Sequence, residues 1–379
     1  AHTGVIGRDD ALAMAEHTRF EARVTALLDA GRSRSPARPR HAVAVVAAMT
    51  VVATVAACMS PDGENSQQRE ASPTTPAAPT AAESPAPASP APPPPAADAA
   101  LQSLAERELD RALESNHGTG ATAIVLDAKT GAAVAIATRG DFDPRAAFPP
   151  GSTMKPFTFA AALDSGAVAL DARIDCENGK RAYGDRTLTD SSPNGVLGLA
   201  DVLAVSSNVG TAKLAEPLGD RLADYLRRFH FTAPAHLDTR SLAGASIASG
   251  EALPASALEV ASGYTLFADA GTYHALDGTT SERVVSQDTA RAVLAMLERV
   301  ITDEHGTGHA ARIPNVRVAG KTGTARSHVA GKYYASFVGI VPADAPRFVI
   351  LVGVDGVDGY GGKVAAPVFA TLATAALQE

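Results

Sequence analysis

The sequence has little of what would mark a metal, disulfide or nucleic-acid protein. Only two cysteines occur, Cys58 and Cys176. They lack metal-ligand spacing, and the proline-rich stretch between them gives no reason to expect a disulfide. The ten histidines form no HExxH pattern, so no zinc-hydrolase site is visible. A formal net charge of −8 provides no basic patch for nucleic acid. No internal repeat is evident. Charged residues are missing altogether from His41 to Pro61. The chain begins with Ala1 instead of methionine, as a fragment or a processed product would.

That uncharged run has the length of a membrane anchor, since a helix rising about 1.5 Å per residue crosses an apolar core of about 30 Å in some twenty residues. Before it, Asp9–Ala30 has the spacing of an amphipathic helix, with Leu12, Ala15, Phe20, Val24, Leu27 and Leu28 recurring and Gly31 closing it. Arg32, Arg34, Arg38 and Arg40 follow, whereas Asp62 and Glu64 lie beyond the run. This asymmetry predicts a cytoplasmic N-terminal segment (1–40), a transmembrane anchor (41–60) and everything later outside the cytoplasm. Two alternatives stay open. The run could be a buried core helix, or Val55-Ala56-Ala57-Cys58 could be a lipobox that replaces the span by a lipid anchor. With the lipid anchor the C-terminal part still ends outside.

Proline is abundant but uneven: of 25, ten fall between Pro73 and Pro95. Residues 61–100 therefore read as an extended spacer that cannot build a core. About 280 residues remain, enough for one enzyme-sized domain over 101–379. A helical run from Leu101 to Leu113 opens it. Strands Ala121–Asp127 and Ala132–Thr138 are expected to form a hairpin around Lys129-Thr130-Gly131. A mostly helical region follows from Ser152 to about Val300. Strands return at Val316–Gly320, Tyr334–Val341 and Phe348–Val354, and a helix over Lys363–Leu377 ends the chain. Strands at both ends of a helical middle predict one sheet that collects both termini, an α+β architecture.

Three short patterns carry chemistry. In Pro150-Gly151-Ser152-Thr153-Met154-Lys155-Pro156, a glycine turn enters an apolar helical run. That context puts Ser152 at a helix N-terminus, where free N–H groups favour a developing anion, and Lys155 three residues on along the same face. A serine hydroxyl needs a neighbouring base, and a desolvated lysine serves. A capping serine beside a solvated lysine would give the same letters. The second pattern is Ser206-Ser207-Asn208, within an apparent helical run Ala200–Leu214; Ser192-Pro193-Asn194 fits S-x-N equally but lies in a turn-like stretch. The third is Lys321-Thr322-Gly323-Thr324 after the strand Val316–Gly320, supplying a cation, two hydroxyls and a glycine that lets a substrate backbone approach. Its other copy, Lys129-Thr130-Gly131, suits a hairpin turn for local reasons.

Each pattern is weak alone, but their order S-x-x-K, S-x-N, K-T-G is that of penicillin-binding proteins and serine β-lactamases. Across 101–379 the chain resembles the transpeptidase domain of class B penicillin-binding proteins. Ile124-Val125-Leu126-Asp127, Leu258-Glu259 through Gly271, Tyr334-Ala335-Ser336-Phe337-Val338-Gly339 and Gly361 through Phe369 extend the likeness. The resemblance implies an antiparallel sheet flanked by helices with a largely helical second lobe. It implies that Ser152 is acylated by a stem peptide ending in D-Ala-D-Ala or by a β-lactam, with Lys155 as base and Ser206 and Asn208 relaying protons and positioning substrate. Lys321, Thr322 and Thr324 would bind the terminal carboxylate, with Gly323 admitting the substrate backbone. The N–H groups of Ser152 and Thr324 would form an oxyanion hole, and no metal or organic cofactor is called for. The family's usual N-terminal pedestal has no counterpart between spacer and Ser152. Residues 9–60 instead resemble the end of the membrane metalloprotease part of β-lactam-sensing receptors, through Ala13-Met14-Ala15 and Phe20-Glu21-Ala22-Arg23-Val24; that likeness implies a zinc motif upstream of Ala1. Three functions are thus expected in turn: a D,D-transpeptidase, a receptor module in which acylation is the signal, and a β-lactamase. The last needs a base for deacylation that no pattern places.

Overall fold

A computed structural model of the chain describes residues 98–276, 278 and 280–378. The expected cytoplasmic segment, anchor and most of the spacer lie outside the described residues. Among the described residues no helix is long and apolar enough to cross a membrane.

Helix α1 spans Ala99–Asn116. The Asp98 carboxylate caps it by accepting from the N–H groups of Ala100 and Leu101 at 2.8 and 2.9 Å. Leu101, Ala105, Leu109 and Ala112 recur every three or four residues and form its buried face. Strands β1 (Gly120–Asp127) and β2 (Ala133–Gly140) follow as the expected hairpin. At its turn the Asp127 carboxylate accepts from the N–H groups of Lys129 and Thr130. Lys129 also pairs with Asp269 at 2.7 Å. This copy of K-T-G is therefore a turn.

Residues 151–154 make one turn of 3₁₀ helix that runs straight into α2 (Lys155–Asp164). The lobe that follows holds α3 (Leu199–Ala204), α4 (Asn208–Ala215), α5 (Asp220–Arg228), α6 (Leu242–Ala248), α7 (Ala257–Ala268) and α8 (Gln287–Thr302). It is less purely helical than expected. Three two-stranded ladders interrupt it: β3 (Arg173–Asp175) with β6 (Val196–Gly198), β4 (Lys180–Tyr183) with β5 (Arg186–Thr189), and β7 (Thr272–His274) with β8 (Ser281–Arg283). These are strands of three or four residues, too short to show a period in the sequence. The lobe's centre is aromatic, with Phe157 in ring contact with Phe229, Phe231, Tyr264 and Phe267. Residues 155–162 of α2 are all buried, so this helix is a central post and not a surface helix.

The chain then returns to the sheet with β9 (Ala319–Arg326), β10 (Tyr333–Val341) and β11 (Phe348–Val357) and ends in α9 (Gly361–Ala376). The strand order is β2-β1-β11-β10-β9, antiparallel throughout, so both ends of the described chain meet at β1 and β11 as expected. Strand β1 is buried at every position but its last, which requires cover on both faces. Helices α1 and α9 pack together on one face, and α7 packs on the other. One strand is displaced from expectation. Of the apolar run Val316–Gly320 only Ala319 and Gly320 belong to β9, and Lys321–Thr324 lie inside the strand instead of after it. Pairing with β10, Lys321 opposite Val338 through Thr324 opposite Ala335, holds these polar residues extended.

Candidate active site

The site lies where the 3₁₀ turn, the α3–α4 junction and β9 meet. The turn is fixed from several sides. Gly151 takes a positive φ of 63°, and its N–H donates to the Gly250 carbonyl at 3.1 Å. The Tyr264 hydroxyl, buried beneath, donates to the Thr153 carbonyl at 2.8 Å. A side chain on Gly151 would press its Cβ to 3.0 Å from the Thr324 carbonyl oxygen, and one on Gly323 would stand 2.9 Å from the Pro150 oxygen. Glycine at both positions lets β9 lie directly against the turn that carries Ser152, which is half-buried.

Lys155, the first residue of α2, is fully buried. Its Nζ donates to the Ser206 carbonyl at 2.5 Å, to Asn208 Oδ1 at 2.7 Å and to Ser206 Oγ at 3.1 Å. From the other side Lys321 Nζ, also fully buried, donates to the same Ser206 Oγ at 2.9 Å and to the Thr322 carbonyl at 3.1 Å. Two lysines thus converge on one hydroxyl. Burial pushes the Lys155 amine down to about 8, partly opposed by the negative charges of Asp190 and Glu251. Lys321 is held well below the ordinary lysine range by burial and then by the neighbouring charge of Lys155.

The second pattern does not sit inside a helix, as its apolar flanks suggested. Helix α3 stops at Ala204, α4 starts at Asn208, and Ser206 between them takes a left-handed φ of 60°. This break turns both the carbonyl and the hydroxyl of Ser206 toward the lysines. Asp190, which no pattern singled out, fixes the junction. Its carboxylate accepts from the Ser207 hydroxyl at 2.6 Å and from the N–H groups of Asn208 and Val209 at 2.7 and 2.9 Å. The rival Ser192-Pro193-Asn194 pattern serves the same structure: the Asn194 amide donates to Asp190 at 2.9 Å. Asn208 is oriented in turn, its Nδ2 donating to the Thr189 carbonyl at 3.0 Å and to Glu251 at 3.4 Å.

Along β9, Gly323 lies against the turn that carries Ser152, Lys321 Nζ also reaches Thr322 Oγ1 at 3.4 Å, and the hydroxyls of Thr322 and Thr324 meet the segments around Thr307 and Gly361. There the Thr322 and Thr307 hydroxyls lie 2.8 Å apart, and Gly361 N–H donates to Thr324 Oγ1 at 3.2 Å. Of the eight residues singled out in the sequence, Lys155, Ser206, Asn208, Lys321 and Thr322 are linked by side-chain hydrogen bonds, while Ser152, Gly323 and Thr324 adjoin them through the backbone of the turn and of β9. Sequence reasoning missed Asp190, Thr307 and Glu251, which hold or flank it from loops without a recognisable local signal. Among the described residues no group of histidine, cysteine and carboxylate side chains is arranged to hold a metal ion.

A half-buried serine one turn before a fully buried lysine, on an antiparallel sheet with a helical lobe, is the arrangement the site presents. Residues 121–374 match the family model of the penicillin binding protein transpeptidase domain, and the chain belongs to that family. It is 31% identical over 317 residues to the probable peptidoglycan D,D-transpeptidase PenA of Neisseria gonorrhoeae, covering 72% of this chain and 54% of that protein. To the probable peptidoglycan D,D-transpeptidase PbpC of Pseudomonas aeruginosa it is 30% identical, with 74% and 58% covered. The chain spans about half the length of these curated relatives. Among solved structures, the apo transpeptidase domain of Burkholderia pseudomallei penicillin-binding protein 3 superposes with a TM-score of 0.67 at 29% identity, covering 74% of this chain and 95% of that one.

Proposed function

We propose that residues 101–379 form a serine D,D-transpeptidase domain acting on peptidoglycan stem peptides that end in D-Ala-D-Ala. The observation that carries this reading is the buried Lys155 amine, held by Ser206 and Asn208 at the start of the helix that follows Ser152. With its affinity for protons lowered to about 8, a useful fraction is neutral near physiological pH. Neutral Lys155 takes the Ser152 proton as Oγ attacks the penultimate D-alanine carbonyl. Ser206, bonded to both lysines, passes a proton to the departing D-alanine nitrogen, leaving an ester on Ser152. Lys321, Thr322 and Thr324 receive the terminal carboxylate, and Gly323 admits the peptide backbone. β9 is the sheet's edge, so an extended substrate can pair along it. The N–H groups of Ser152 and Thr324 stabilise the tetrahedral oxyanion, each donor contributing about 3 kcal/mol. The ester then passes to an amine of a neighbouring strand. β-Lactams enter as mimics of the donor and remain on Ser152.

The proposal extends to placement: a single span at 41–60, with the Pro/Ala-rich spacer at 61–100 holding the domain outside the cytoplasm. The arginines before that run and the acidic residues after it support this topology. The likeness of residues 9–60 to β-lactam-sensing receptors favours a second reading, in which acylation of Ser152 is the signal and no peptide is cross-linked. Incubation with a D-Ala-D-Ala donor and an amine acceptor separates the two. Cross-linked product that disappears in Ser152→Ala supports the transpeptidase. No product, together with a drug-dependent change at the cytoplasmic end, supports the receptor.

A further inference from the structure

One carboxylate at the site has no part in the chemistry above. Glu251 follows Gly250, whose carbonyl receives the Gly151 N–H at 3.1 Å, so its backbone is attached to the nucleophile turn. Its own N–H donates to the Ser246 carbonyl at 2.8 Å, fixing it from the other side. The side chain reaches back to Asn208, accepting one long hydrogen bond of 3.4 Å from Nδ2. Asp190, the other nearby acid, is fully engaged: Ser207, Asn208, Val209 and Asn194 all donate to its two oxygens. Glu251 is exposed and makes no ion pair among the described residues. It is an exposed carboxylate whose charge reaches Lys155 and which is joined to that lysine only through the Asn208 amide.

We propose that Glu251 receives the amine acceptor of the second half-reaction, a primary aliphatic amine that arrives as an ammonium ion. This deepens the transpeptidase reading and rests on it. An ammonium is no nucleophile until it loses a proton, and a carboxylate both attracts it and accepts that proton. Once the acceptor covers the pair and excludes water, two uncharged partners cost less than two desolvated ions, which favours the transfer. The amine nitrogen then attacks the ester carbonyl on Ser152. The C–N bond forms, the C–Oγ bond breaks, and the surplus proton on nitrogen passes through Lys155 to Ser152 Oγ. Glu251 afterwards releases its proton to solvent, so charge and atoms balance with no further reactant.

The test compares two acceptors on the same acyl-enzyme of the full chain: Nα-acetyl-lysine amide, cationic at neutral pH, and hydroxylamine, which is largely uncharged there. The ratio of the two products does not depend on how fast the acyl-enzyme forms, and unfolded protein contributes to neither. Glu251→Gln should lower the ratio of lysine to hydroxylamine product by roughly a hundredfold, the low end for loss of a general base. Glu251→Asp, which keeps the charge on a shorter stem, should lower it less. A ratio within about threefold of the original in Glu251→Gln overturns the inference, because loss of packing or of a counter-charge to Lys155 lowers both products together. An unaltered chain that gives hydroxylamine product but no amine product overturns the transpeptidase reading itself, and this one with it.

Discussion

Ser206 joins the two halves of the site, because Lys155 and Lys321 both donate to its hydroxyl. If both amines were protonated, that oxygen would face two cations in a buried setting, so loss of one proton is favoured. The consequence for Lys155 has a definite sign. Its protonated form is penalised by burial, so the amine is mostly charged below about 8 and mostly neutral above it. Only the neutral form takes a proton from Ser152. Penicillin acylation should therefore climb about tenfold per pH unit on the acid side of that value and level off above it. The same group opposes folding when charged, a penalty fully present below about 8 that fades as pH rises toward the ordinary lysine value of 10.5. Stopped-flow acylation across pH 6–10 would check the profile. Lys155→Ala should keep a native circular-dichroism spectrum and lose acylation at every pH; near-normal acylation in that variant would reduce Lys155 to a packing role.

At the scale of the element, the α3–α4 break is the feature that arranges the second pattern. Asp190, sixteen residues before Ser206 in the chain, takes three donors at the start of α4 that would otherwise be orphaned. Asp190→Ala should cost about 1.5–3 kcal/mol, the range for hydrogen bonds to a charged group. For a domain of this size that lowers Tm by roughly 3–5 °C. Acylation should fall too, since Asn208 and Ser206 lose their fixed positions, and Asp190→Asn should recover part of both. A scanning calorimeter and a labelled β-lactam read the two effects; unchanged melting with unchanged labelling would remove Asp190 from the site. This element also shows where sequence reading reached its limit. The residues of the motif were legible, because serine, lysine, asparagine and threonine stand in a recognisable order. The break was not, because the residues on either side of it are apolar and helical in spacing. The acid that enforces the break comes from a separate loop. β9 failed in a milder way. The run Val316–Gly320 advertised a strand that begins only at Ala319, and Lys321–Thr324 became part of it through β10, a long-range partner that local propensity does not reveal.

At the scale of the whole molecule, the order of the elements was the most legible feature. Long apolar runs at both ends of the domain, each flanked by turn residues, identify sheet strands whose sequence separation forces the chain to return to its start. The pairing of β1 with β11 realises that return and brings β9, with its cation, against the turn that holds Ser152. The small ladders escaped notice because each is stabilised by one neighbour and three or four residues. Placement in the cell rests on the arginine asymmetry around 41–60. Protease added to intact spheroplasts should remove the catalytic domain, whereas its protection would reverse the proposed topology. If Cys58 carries the anchor instead, Cys58→Ala should abolish metabolic lipid labelling.

The central claim is that one serine, and no other, becomes covalently attached to the drug. The most direct measurement is intact mass followed by peptide mapping of the full chain after reaction with penicillin. One added equivalent per chain is expected, confined to the peptide that contains Ser152 and abolished by Ser152→Ala. An adduct on Ser206 or any other residue, or labelling that survives the substitution, would contradict it.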